Sequence, residues 1–342
     1  MIRQTPNMQN NILLVFTGGT IGSQARAGTI DTSNNAAYQL IQQFQQHDAQ
    51  SAAVTFTTLQ PLQILSENLH PQAWHTVIAA IERHDLSQFD GIIVTHGTDT
   101  LAFTAACFAE YFRALPIPLL LVSSNLPLDN PNANGVHNFL CALAFIRQQR
   151  LPGVFVPYQN PGQCMQLHLG SRISSCLPLS SDFISVQSQA FMQFANGQFN
   201  SAAIKPVSLN NLPPLAARFG RVLLIRPYPG LDYSHFQLND VDVVLHDLYH
   251  SGTACVSNQW GQSHSLIAFS KRCQQLDKAL YLASALYSEE TYSSTRELLA
   301  NGAQMLWNLS LETAYAKLVL AYGNFDDASQ RNAYLSTATV AS

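Results

Sequence analysis

The sequence predicts an α/β protein built on parallel-rich sheets and divided into two domains. Three observations predict it. Short apolar runs that stop at polar, glycine-bearing turns alternate with segments of helical spacing, the pattern of strands joined by right-handed crossovers. The 342 residues exceed what one hydrophobic core usually serves. Pro206 to Pro214 carries three prolines, and the strand–helix alternation restarts after it. These place an N-terminal domain at 1–205, a linker at 206–216 and a C-terminal domain at 217–342.

Asn11 to Phe16 (NILLVF) has the continuous apolar character of a buried parallel strand. The turn Thr17-Gly18-Gly19-Thr20-Ile21-Gly22 follows, with glycines that let backbone approach a ligand closely. Gln24 to Asn35 is polar and reads as a loop, and Ala36 to His47 has helical spacing. Val54 to Leu59 alternates like a strand, and Pro71 fits the first position of a helix running to about His84. Ser66 and Glu67 lie in the loop between them. Gly91 to Thr95 is a buried strand that stops at His96-Gly97-Thr98-Asp99-Thr100. A helix from Leu101 to about Ala114 follows, with Asp99 or Thr98 as its expected N-cap.

Pro118 to Val122 is a strand ending in Ser123-Ser124-Asn125-Leu126-Pro127, and Ala133 to Gln149 a helix. Gly153 to Pro157 is a short strand, and residues 158–203 suit hairpins and loops. In the second domain, apolar runs fall at Arg221 to Arg226, Val241 to Leu245, Leu266 to Phe269 and Ala279 to Leu282. Ser288 to Ala300 and Leu311 to Tyr322 are helical, with Asn301-Gly302 capping the first and turning toward a short strand, Gln304 to Trp307.

Composition narrows the function. Charged residues make up 11% of the chain and the net charge is −4, against ~25% charged in an average domain. With no basic patch, nucleic acid and anionic membrane are not expected partners. No apolar run is long enough to span a bilayer, and Met1 to Asn10 lacks the apolar core of a signal peptide, so a cytoplasmic protein is expected. The six cysteines form no CxxC pair and fit reduced core thiols; the eleven histidines show no ligand spacing. We expect neither metal nor cofactor.

Four polar turns, after residues 16, 64, 94 and 122, fall at strand carboxyl ends, where parallel sheets bind ligands. Two carry threonine on glycine. A hydroxyl such as that of Thr20 attacks a carbonyl while backbone N–H groups stabilise the oxyanion. Ser66, Glu67 and Asp99 suit a small zwitterion, hydroxyl and amides facing its carboxylate and side-chain carboxylates facing its ammonium. A phosphate site competes with this reading, because helix N-termini and glycine turns also hold phosphate; the GxGxxG and Walker spacings are absent.

The pair TGGTIG at 17–22 and THGTDT at 95–100, in this order, resembles the asparaginase/glutaminase family, the bacterial-type L-asparaginases. Further likeness lies in Pro61 to Trp74 (PLQILSENLHPQAW), in Tyr228-Pro229-Gly230 and in Leu311 to Leu318 (LETAYAKL). The SENLHP-type loop is closer to the cytoplasmic type I. The resemblance implies a larger N-terminal α/β domain, a smaller flavodoxin-like C-terminal domain, and a homodimer or homotetramer. It implies hydrolysis of the side-chain amide of asparagine, or a related small amide, to the acid and ammonia through a threonine acyl-enzyme. Carried over by motif, Thr20 is the nucleophile, and Thr98 and Asp99 are the second catalytic pair. Ser66 is the α-carboxylate ligand, Glu67 and Asp99 lie near the α-amino group, Ser124 makes a contact near the amide, and Gly19 and Gly97 line the substrate.

Two departures from the family pattern stand out. Thr29 takes the place of a loop Tyr, and no Lys precedes Lys205 although the family pairs a Lys with the second Thr and Asp. The segment where that Lys is expected runs from Leu169 to Cys176 (LGSRISSC). Arg172 supplies charge there but is no base. Tyr158 and Lys205 are candidate replacements, and Tyr38 fits packing in a helix. The sequence therefore supports an amidohydrolase and, as the alternative, an impaired homologue that binds an amino acid; a relative with a different amide substrate is a third reading.

Overall fold

The computed structural model describes residues 9–19, 21, 23–26, 29–32, 36–202 and 214–337. The chain divides into two compact units, the first ending at Ala217 and the second beginning at Arg218. Residues 206–213 of the expected linker, and Lys205, lie outside the described residues.

The first unit follows from strand burial. β1 (Asn10–Phe16) leads to a hairpin, β2 (Ser23–Arg26) against β3 (Thr29–Thr32), and then to α1 (Ala36–His47). That antiparallel pair replaces the loop expected over 24–35, with Thr29 opposite Arg26. The sequence hid it because two four-residue strands, SQAR and TIDT, are too short and polar to show a strand period. β4 (Val54–Leu59) and α2 (Pro71–Glu82) come next, then β5 (Gly91–Thr95), α3 (Leu101–Tyr111), β6 (Pro118–Val122), α4 (Gly135–Gln148) and β7 (Gly153–Tyr158).

Each connection between these parallel strands contains a helix, the length a crossover requires. After β7 no α-helix intervenes between strands, and β8 (Met165–Leu169), β9 (Met192–Ala195) and β10 (Gln198–Phe199) pair antiparallel in succession. The sheet order is β10-β9-β8-β7-β6-β5-β1-β4. Alternate residues serve opposite faces. Ile12, Leu14, Ile93, Leu120 and Phe155 pack with Phe44 of α1 and Phe139 and Phe145 of α4, whereas Val94 faces Trp74 and Val77 of α2 and Phe108 of α3. β5 and β6 are buried on both faces, which is why their sequences are unbroken apolar runs.

This order contains a reversal. β1 lies between β4 and β5, parallel to both, so the connections leaving β1 and β5 diverge to opposite sides. A crevice forms at such a switch point, outside the strand carboxyl ends.

The second unit has the parallel sheet order β11 (Val222–Ile225), β12 (Val243–Asp247), β13 (Ala279–Ala283), β14 (Gln304–Met305). The helices are α5 (Leu266–Gln275), α6 (Ser293–Ala300), α7 (Leu311–Asn324) and α8 (Ala328–Leu335). Leu266 to Phe269 opens α5 rather than forming a strand. Leu266, Phe269, Ser270 and Cys273 are its buried side chains, the three- and four-residue spacing of a helix face. α7 starts at Ser310, whose hydroxyl accepts from the amide of Thr313 at 3.2 Å.

Gly18 ties the first turn to the second. Its φ is +100°, and a Cβ there would run into the Ile64 backbone. Gly18→Ala therefore combines left-handed strain with overpacking, and we expect a loss of about 3 kcal/mol in urea unfolding. A variant as stable as the wild type would contradict this close approach.

Candidate active site

Three turns meet at the β1/β5 switch point. The first is latched to the second by backbone bonds from the Gly19 amide to the Ile64 carbonyl (2.9 Å) and from the Ile64 amide to the Thr17 carbonyl (3.0 Å). Thr17 Oγ1 donates to the Thr95 carbonyl at 2.6 Å, holding the first turn to the third. Gly19 (φ +76°) packs so closely on Gly97 that a Cβ on it would collide with the Gly97 amide. A Cβ on Gly97 would in turn meet the Ser66 hydroxyl. Glycine is required on both sides of this contact.

Ser66 is buried and serves Asp99 twice. Its hydroxyl donates to Asp99 Oδ2 at 3.0 Å and accepts from the Asp99 amide at 3.3 Å. The Thr100 hydroxyl donates to the Ser66 carbonyl at 2.9 Å. These bonds overturn the expected N-cap. α3 is preceded by Thr100 with no side-chain cap, because the Asp99 carboxylate and the Thr100 hydroxyl are both engaged with Ser66. Asp99 is exposed and Thr98 half-buried at the mouth of the crevice.

The structure thus brings together Gly19, Ser66, Gly97 and Asp99, with Thr98 between the last two. Thr20, the expected nucleophile, lies outside the described residues; Gly19 and Ile21 flank it in sequence. Glu67 is exposed on the short 3-10 turn Ser66–Asn68. Ser124 is buried, and its hydroxyl donates to the Leu126 carbonyl at 2.6 Å. Around it, Asn134 Oδ1 accepts from the Asn125 amide, and Asn134 Nδ2 donates to the Gln159 carbonyl, each at 2.9 Å. Asn138 bridges the Ser123 carbonyl (2.9 Å) and the Gln159 amide (3.0 Å). These two asparagines pin the turn after β6 to the end of β7.

Of the candidate replacements, Tyr158 is fully buried with its ring 4.7 Å from that of Phe183. Burial pushes the pKa of its hydroxyl up to about 12, with the Asn134 and Ser181 side chains pulling the other way. Arg172 is buried too, and its Nη2 donates to the Val186 carbonyl at 3.0 Å, within its own hairpin. Cys176 ends the segment where the resemblance places a Lys. The thiol is pushed up to about 12 by burial, with the nearby negative charge of Asp99 adding to it. It therefore stays a neutral thiol. Among the described residues, no group of three or more His, Cys, Asp or Glu side chains is placed to hold a metal ion.

A feature that sequence reading missed lies beneath the third turn. Trp74 Nε1 donates to Thr104 Oγ1 at 2.9 Å, Thr104 Oγ1 meets His96 Nε2 at 2.9 Å, and His96 Nδ1 meets the Gly97 carbonyl at 2.8 Å. Burial pushes the pKa of His96 down to about 4. The available signal was a histidine closing a buried strand, eight residues before a threonine on the following helix.

The geometry is that of a small-molecule site at the switch point of an α/β sheet. The chain matches the family described as Asparaginase, N-terminal, over residues 11–203, more than half of its length, and it belongs to the asparaginase family of amidohydrolases. An L-asparaginase of Thermococcus kodakarensis is 37% identical over 114 residues, 33% of this chain and 32% of that protein; that alignment spans about a third of the relative's length. A glutamyl-tRNA(Gln) amidotransferase subunit of Methanosphaera stadtmanae is 24% identical over 343 residues, covering 96% of this chain and 75% of that protein. The solved thermostable L-asparaginase from Thermococcus kodakarensis is 25% identical with a TM-score of 0.79, covering 96% of this chain and 98% of that one. L-asparaginase I from Vibrio cholerae shares the fold at 21% identity, with a TM-score of 0.76 over 96% of this chain and 98% of that one.

His96 is not alone in being neutralised by burial: His168 and His246 are also pushed down to about 4. Unfolded histidines titrate near 6.5, so between about pH 6.5 and 4 the unfolded chain binds more protons than the folded one. Stability is then lost as pH falls through this window, by about 1.4 kcal/mol per pH unit for each such histidine. Thermal melts from pH 7 to 4.5 should show a falling Tm; a level Tm would contradict neutral burial.

Proposed function

We propose that the protein hydrolyses the side-chain amide of L-asparagine, or of a closely related small amide, to the acid and ammonia. The observation that carries the reading is the meeting of the Gly18-Gly19 and Gly97–Asp99 turns, with Ser66 bonded to Asp99, at the sheet's switch point. Ser66 and backbone amides receive the substrate α-carboxylate, Asp99 and Glu67 its ammonium, and Gly19, Gly97 and Ser124 line the amide. The Thr20 hydroxyl adds to the amide carbon; the C–N bond then breaks, the hydroxyl proton leaves with ammonia, and an ester remains on Thr20. Water cleaves that ester, returning the proton to Thr20 and releasing the acid. Thr98 and Asp99 assist the proton transfers.

Nearly the whole chain is also similar to an amidotransferase subunit, so the proposal takes in related small amides beside asparagine. We extend the proposal to a homodimer or homotetramer acting in the cytoplasm; no helix among the described residues is long and apolar enough to cross a membrane. Ammonia release from asparagine, glutamine and N-substituted amides tests the reading. Thr20→Ala should lose at least about 10³-fold in kcat/KM, and Asp99→Asn about 10²-fold. Equal release by wild type and Thr20→Ala from every amide would sink it.

One observation favours a second reading, an amino-acid-binding homologue with reduced turnover. Cys176, a thiol and not a cation, ends the segment where the resemblance places a Lys. If a missing acid–base group limits the rate, Cys176→Lys should raise ammonia release by about 10²-fold or more. A fast wild type that Cys176→Lys slows would remove this reading.

A further inference from the structure

We propose that His96 is a positioning residue whose buried imidazole holds the Gly97 carbonyl inward and thereby aims the Thr98 amide at the ligand; this rests on the amide-hydrolase reading above. The hydrogen positions follow from the partners. A carbonyl only accepts, so His96 Nδ1 must carry the proton in its 2.8 Å bond to Gly97. An indole N–H only donates, so Thr104 Oγ1 receives from Trp74 and turns its own hydrogen to His96 Nε2. The imidazole is neutral, with one tautomer fixed from both ends.

Each member comes from a different segment: Trp74 from α2, Thr104 from α3 and His96 from the turn that follows β5. All three are at most 3% exposed, where a bond is not weakened by competing water. The void beside them, lined by Thr17, Ile64, Val94 and Phe108 among others, is about 10 Å³, the size of a water at most. The chain of bonds therefore holds no substrate and acts on the turn alone.

What it sets is a peptide plane. The Gly97–Thr98 bond is trans, since no peptide among the described residues is cis, and its carbonyl and N–H point in opposite directions. With the oxygen held toward the core by His96, the Thr98 N–H faces away from it. Gly97 cannot relax by moving, because Gly19 and Ser66 press on it from two sides.

The tests are the imidazole tautomer by ¹⁵N NMR and the binding of L-aspartate with ammonia release in variants. Wild-type His96 should carry its proton on Nδ1; finding it on Nε2 overturns the proposal even if no variant folds. His96→Leu should weaken L-aspartate binding about tenfold and lower kcat as well. His96→Asn, whose amide N–H overlays Nδ1, should return to within about threefold of wild type, although both variants lose the Thr104 bond. Thr104→Val, which spares the Gly97 bond, should behave like His96→Asn. An active wild type with His96→Leu equal to it, or with His96→Leu and His96→Asn equally impaired, removes the role of His96 alone. A wild type that neither binds L-aspartate nor releases ammonia overturns the amide-hydrolase reading and this role with it.

Discussion

The approach of Gly19 to Gly97 is the constraint on which the first unit depends. Two chain segments that leave neighbouring strands in opposite directions touch backbone to backbone, and no side chain fits between them. The sheet creates the opportunity by placing β1 between β4 and β5, and the glycines convert that crevice into a rigid floor. Thr17, Ile64 and Thr95 then lock the floor with backbone and hydroxyl bonds. The charged and hydroxyl groups of the candidate site stand on the far side of these contacts.

Ser66 couples those groups. Its single hydroxyl hydrogen goes to Asp99 and its oxygen takes the Asp99 amide. On the proposed reading, a ligand carboxylate has to compete with Asp99 for that hydrogen. A ligand ammonium beside Asp99 weakens the carboxylate's hold on it by satisfying the negative charge. The two ends of a zwitterion therefore help each other to bind, whereas a simple anion meets both Asp99 and an occupied hydroxyl. Beneath, His96 anchors the same turn from the dry side of the sheet, so one five-residue turn is fixed by α2, α3 and the loop before α2.

Much of this was legible in the sequence, for physical reasons. Strands buried on both faces, such as Gly91 to Thr95, are unbroken apolar runs, and their abrupt polar ends mark the site edge. Pro71 at the start of α2 and Gly302 (φ +88°) after α6 declared themselves by backbone chemistry. What stayed hidden depends on tertiary neighbours. Asp99 has the chemistry of a cap, but Ser66 lies 33 residues away in sequence and takes its carboxylate. The hairpin Ser23–Arg26 with Thr29–Thr32 is too short and polar in sequence to show a strand period, and the Leu266 to Phe269 run looks alike in strand and helix until Cys273 extends the spacing. Cys176 gives no local sign of coming within reach of the Asp99 charge; only the fold of the segment after β8 brings it there.

The most direct measurement of the central claim is a crystal structure with L-aspartate bound. The account predicts the ligand at the mouth of the β1/β5 switch point, its carboxylate on Ser66 and its ammonium on Asp99, with the Ser66 hydroxyl turned away from Asp99 Oδ2. L-Aspartate bound elsewhere, or bound there with the Ser66–Asp99 bond unchanged, would contradict it.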